Sequence, residues 1–237
     1  GTLLGAIGLT TILIIAALLS LIPFVLFLAL RFPQAKQAQG FPLRQAAKVV
    51  GHPLLWLCGF LLFFESGNEF TVGGWTSTYL NEYFHLTPTV ASFVLAGYWA
   101  AIMVGRLIVT RLVRAVKNEI LVLGSAILAL IAAIIMAASP SGALAGFGAV
   151  LIGLGFAAIY PTTLAIVGEA FPALSGTAFS VIFVIGLTGG MTAPWLTGKV
   201  AMASSLRQGF FIPVVCCAMI VIIQLVIMRL LKRRASI

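Results

Sequence analysis

Apolar residues run through this chain in seven long stretches, at about 3–31, 53–80, 88–112, 119–139, 143–168, 176–197 and 208–231, with polar residues gathered between them. Each stretch is long enough, at about 1.5 Å per helical residue, to cross a hydrocarbon core of about 30 Å. They are too long for the alternating strands of a membrane barrel, which need only about 9–11 residues. The pattern therefore predicts an all-α integral membrane protein with seven transmembrane helices. The connections are short except for RFPQAKQAQGFPLRQAAKVVGH, residues 31–52, which is polar, basic and proline-bearing. That segment divides the chain into a helix over 1–31, a loop over 32–52 and a bundle over 53–237, and its last part reads as an amphipathic helix lying on the membrane.

Composition strengthens this reading. Of 237 residues 62% are hydrophobic and 8% charged, against about 45–50% and about 25% in soluble domains. A net charge of +9 would suggest nucleic acid in a soluble protein. Here the basic residues lie in short loops beside spans, so no nucleic-acid partner is expected. Alternate loops hold Arg31, Lys36, Arg44 and Lys48, then Arg106, Arg111, Arg114 and Lys117, then Arg229, Lys232, Arg233 and Arg234. Only Lys199 and Arg207 fall on the other side. The positive-inside rule makes the first group, and with it the C-terminus, cytoplasmic in a plasma (inner) membrane. Cys58, Cys216 and Cys217 lie inside apolar segments and read as small packing residues. The chain begins with Gly1, not Met, which leaves room for a preceding segment.

One span breaks the apolar rule. FFESGNEFTVGGW, residues 63–75, carries Glu65, Asn68 and Glu69 with three glycines, where a helix should be crossing the membrane. A charged side chain at mid-bilayer costs at least about 2.5–3.5 kcal/mol, so such residues face a wet cavity or a partner. Glu65 and Glu69 are four apart and share a helix face, with Asn68 beside them. This composition predicts a helix interrupted at the glycines, whose polar face lines a solute pathway and carries a coupling proton on Glu65 or Glu69. The alternative is a buried network pinning two helices together. Trp75, beside these polar residues, can stack on a sugar ring, while Tyr79 and Tyr83 approach the outer interface, where aromatic belts form. His52 and His85 are expected to face solvent at opposite membrane edges.

A second interruption is expected at GLGFAAIYPTTLAIVGEAFP, residues 153–172, where Pro161 removes a backbone donor. The two affected spans open consecutive triplets, 53–139 and 143–231. Interruptions at matching places in repeated halves point to a midplane binding site. Tyr160, Thr162 and Thr163 become candidate lining residues on that ground.

These motifs resemble the C-terminal half of a major facilitator superfamily transporter. GYWAAIMVGRLIVTRLVR, residues 97–114, is similar to that family's loop motif after the eighth helix; Val104 stands where an Asp is usual. ESGNEFTVGGWTSTYL, residues 65–80, resembles the seventh helix of the fucose-permease-like, sugar:proton symporter branch. Residues 160–172 and 175–198 are similar to the tenth and eleventh helices. The resemblance implies a six-helix bundle of 3+3 inverted repeats over 53–237, with the first segment as the sixth helix. It also implies alternating access, a small polar solute such as a sugar, and a missing N-terminal six-helix half on the same or a separate chain. Finally, it implies a cytoplasmic gate in which Gly105 allows close helix approach and Arg106 or Arg111 pairs with Glu169.

Other classes fit less well. A seven-span receptor with retinal would need a Lys in the last span, and none is there. A zinc-dependent membrane enzyme would need a cluster such as H-E-x-x-H, and the chain has only two His. No cofactor is called for, and the expected coupling ion is a proton. A uniporter, an exporter of the same superfamily or a non-transporting membrane subunit remains the alternative.

Overall fold

The computed structural model describes residues 2–30 and 43–235; the loop up to residue 42, with Arg31 and Lys36, lies outside the described residues. The chain divides into two units, Gly1–Leu43 and Arg44–Ile237. The first holds α1 (Thr2–Ala29). Its regular part runs from Gly8, which takes a positive φ of 71° that a side chain would resist, and carries no charged residue, with mean hydropathy 3.0.

The second unit holds the remaining helices. They are α2 (Leu43–Val50), α3 (Pro53–Thr78), α4 (Pro88–Leu112), α5 (Asn118–Ala138), α6 (Gly142–Ala170), α7 (Ser175–Ala203), the single turn α8 (Leu206–Gly209) and α9 (Phe211–Ala235). No strand occurs among the described residues. α2 is the helix expected at the end of the basic loop, and Val49 on it is buried. Capping follows from the sequence at three of the long helices. The His52 side chain accepts from the Leu54 N–H ahead of α3, Thr87 caps α4, and Ser141 caps α6. His52 is therefore a capping residue that also meets Phe171 edge-on, at 5.2 Å between ring centroids, and is only partly exposed.

Six helices among the described residues are long and apolar enough to cross a membrane. α3 is as long as the others, at 26 residues, but its polar residues lower its hydropathy. It nonetheless forms one unbroken α-helix. The interruption expected at its glycines is absent because the polar residues are accommodated inside the helical frame. Glu65, Ser66, Gly67, Asn68 and Thr71 all face inward, and Thr71 returns its hydroxyl to the Gly67 carbonyl at 2.7 Å. α6 likewise continues through Pro161, whose ring lies on an exposed face.

The pairing of helices is built on an exchange. α3 packs on α7 as α6 packs on α4, and α3 packs on α9 as α6 packs on α5; α5 meets α9, and α3 meets α6. Swapping α3 with α6, α4 with α7 and α5 with α9 maps each of these pairings onto another. α6 is the third span after α3, so the two triplets run in opposite senses: the bundle is a pair of inverted three-helix repeats. Close crossings mark equivalent places. A Cβ on Gly105 of α4 would sit 2.5 Å from that of Ala157 on α6, and a Cβ on Gly189 of α7 would collide with the Phe63 carbonyl oxygen of α3.

Irregularity appears where α3 ends. Residues Tyr79–Tyr83 form a π-turn. Tyr79, expected in an interfacial belt, is wholly buried and stacks on Phe210 at 4.2 Å between ring centroids. Arg207 closes this end: it donates to the Ala137 and Ala138 carbonyls at the C-terminus of α5 and to the Tyr83 hydroxyl at 3.1 Å. A cation there also complements the negative end of the α5 dipole.

Candidate functional site

Glu65 is wholly buried, and its Oε2 accepts from the Ser66 hydroxyl at 3.3 Å while Oε1 finds no donor. The Glu69 carboxyl, one turn on and only half-buried, lies within hydrogen-bonding reach of it. A hydrogen bond between two carboxyls requires a proton on one of them. The helix thus sets a buried carboxyl one turn from a more accessible one.

Two tyrosines frame this pair. Tyr98 of α4 is buried and donates to the Glu69 backbone carbonyl at 3.3 Å. Tyr160 of α6 lies close enough to interact electrostatically with both glutamates, and its ring stacks on Phe183 with centroids 6.3 Å apart. The site therefore spans the α3–α6 pairing about which the repeats exchange. Tyr98 was not singled out from the sequence, although it lies seven residues before Gly105, which places both on the α4 face that meets α6.

The other candidates sit elsewhere. Asn68 turns away from the glutamates, and its Nδ2 donates to the Pro213 carbonyl at 3.0 Å and to Cys217 Sγ at 2.9 Å, both on α9. It pins α3 to α9. Asn68→Ala is expected to lower stability by about 1 kcal/mol, the usual scale of a hydrogen bond between membrane helices. The check is maleimide labelling of Cys217 in a Cys58→Ser, Cys216→Ser background: labelling should speed up, and an unchanged rate would deny Asn68 that role. Trp75 donates from Nε1 to the Pro194 carbonyl at 3.2 Å and packs on Gly198 of α7. Thr163 is buried and returns its hydroxyl to the Ile159 carbonyl at 2.7 Å. Its neighbour Thr162 is buried with an unpartnered hydroxyl.

At the end of the bundle where basic residues gather, a cavity of about 500 Å³ is lined by Arg106, Asn118, Thr162 and Glu169, among others. Glu169 pairs with neither arginine in this structure. Its Oε1 accepts from Asn118 Nδ2 at 3.1 Å, while Arg106 and Arg111 are exposed. Asn118, the first residue of α5, was not foreseen from the sequence, since 51 residues separate it from Glu169.

The sequence pattern of the Major Facilitator Superfamily matches this chain over residues 1–194 and again over 55–236. The chain belongs to that superfamily. Among curated relatives, a glucose/galactose transporter of Brucella abortus is 28% identical over 163 residues, 67% of this chain and 39% of its own. An uncharacterized MFS-type transporter of Yersinia pestis is 27% identical over 152 residues, 64% of this chain and 40% of its own. This major facilitator chain thus spans about two fifths of the length of those relatives. Among solved structures, a variant of the E. coli fucose:proton symporter FucP matches with TM-score 0.74 and 18% identity, covering 93% of this chain and 55% of that one. A peptide transporter, POT, matches with TM-score 0.69 and 20% identity over 79% of this chain and 42% of that one. At these identities the structural likeness establishes the superfamily fold.

Proposed function

We propose that this chain is the C-terminal portion of a secondary active transporter that moves a small polar solute, a sugar, by proton-coupled alternating access. The observation that carries the reading is the pair Glu65 and Glu69: two carboxyls within hydrogen-bonding reach, one wholly buried and one half-buried, beside Tyr160. A proton can enter at Glu69 and be shared with Glu65, while the tyrosine supplies a polar edge to the solute. The names of the relatives, a glucose/galactose transporter and a fucose:proton symporter, support a sugar and a proton. In this reading a second six-helix half, on the same or a separate chain, faces α3, α4, α6 and α7, and the basic end of the bundle is cytoplasmic. Glu169 then exchanges Asn118 for Arg106 or Arg111 as the cytoplasmic side closes.

The test is uptake of a panel of labelled sugars into proteoliposomes holding the full-length protein, with and without an inward proton gradient. One sugar is expected to accumulate only with the gradient. Equilibration that ignores the gradient would replace the reading with uniport, and no uptake of any sugar would remove the sugar assignment.

A further inference from the structure

A cavity of about 590 Å³ opens between the start of α5 and the last turns of α9, away from the glutamate pair. Its walls divide by chemistry. Ile120, Leu225 and Met228 supply an apolar floor, and Lys117, Arg229 and Lys232 supply the cations. On α9, residues 225, 228, 229 and 232 follow the i, i+3, i+4, i+7 spacing of a single helix face, so the charges stand beside the apolar floor. Ile120 and Leu225 are 51% and 42% exposed, a surface suited to acyl chain. The fourth charge is Glu119, whose backbone carbonyl accepts from Gln224 Nε2 at 2.8 Å. No carboxylate among the described residues is ion-paired to the three cations, and Glu119 offsets only one of them.

We infer that this cavity binds an anionic phospholipid, its phosphate held by Lys117, Arg229 and Lys232 and an acyl chain laid along Ile120, Leu225 and Met228. Charge complementarity selects this occupant. A basic recess at the end of a membrane bundle, continuous with an apolar wall running towards the hydrocarbon, matches an amphiphile with a negative head. A zwitterionic lipid brings its own cation into a site that already holds an excess of positive charge. Free phosphate would leave the apolar floor uncovered.

The experiment is thermal unfolding of the purified full chain in neutral detergent. It is followed with a thiol-reactive dye that reports Cys58, Cys216 and Cys217, all buried in the fold. Dioleoylphosphatidylglycerol is expected to raise the melting temperature by several degrees, and dioleoylphosphatidylcholine to leave it unchanged. The triple substitution Lys117→Gln, Arg229→Gln, Lys232→Gln should remove that rise, and Leu225→Ser, which alters no charge, should reduce it. An equal rise with phosphatidylcholine, or an undiminished rise in either variant, would overturn the inference. A rise of the same size with inorganic phosphate alone would also overturn it, by assigning the cavity to a free anion.

Discussion

Proteoliposomes carrying Glu69→Gln are expected to lose all uphill solute accumulation while still exchanging labelled for unlabelled solute at equal concentrations on both sides. The amide keeps the shape and hydrogen-bonding size of a protonated carboxyl but cannot release a proton. The cycle can then run only where no net proton movement is needed. One proton crossing 100 mV is worth about 2.3 kcal/mol, or roughly fifty-fold accumulation, so the expected change is from that scale to unity. Glu65→Gln should do the same, since the proposed function has one proton shared between the two carboxyls. Its buried Oε1 already lacks a donor, so a neutral amide there should leave folding intact. Full accumulation with an unchanged pH profile in both variants would remove the proton role from α3 and place coupling elsewhere.

Adding one methyl group at Gly189 is expected to damage the bundle more than most larger changes on its surface. A Cβ there would land on the Phe63 carbonyl oxygen, a backbone atom that cannot swing aside. The two helices would have to separate at their central crossing, beside Gly67, whose own Cβ would come within 2.9 Å of Ala193. Overpacking a fitted interface costs about 1–3 kcal/mol, and backbone contact sets Gly189→Ala at the upper end of that range or beyond. Gly74→Ala is the control: nothing lies within 4 Å of its Cβ, and alanine favours the helix by up to about 1 kcal/mol. Melting temperatures of the two variants should move in opposite directions. A Gly189→Ala protein as stable as the parent would mean that this crossing is looser than its geometry.

The spans were legible because length and apolarity alone specify a membrane helix; α4, for instance, begins and ends where the pattern places it, at Pro88 and Leu112. The resemblance to the family's loop motif also marked the close approach at Gly105. What misled was the polar stretch in α3. Glycine and carboxylate weaken an isolated helix, so the stretch reads as a break, but burial against α7 and α9 keeps it helical. Partners distant in sequence were not legible either. Nothing local to Asn68 points to Cys217, 149 residues on, and nothing near Glu169 points to Asn118. Single-sequence reasoning finds which residues need a partner; only the packed bundle shows which one they take.

The exchange of helices between triplets bears on how the protein is made. The principal partners of α3 are α7 and α9, and those of α5 are α6 and α9, whereas contact within each triplet is slight. Neither set of three helices can complete its own interior. During synthesis α3 enters the membrane first among the bundle helices, carrying Glu65 and Asn68, while α9, which supplies the acceptors for Asn68, arrives last. For the time needed to make the intervening 130 or so residues (at about 5–20 per second, roughly 7–26 seconds), the least apolar helix must wait in lipid or against the insertion machinery. The newborn chain is thus most vulnerable at Glu65 and Asn68, the polar residues that the finished bundle buries.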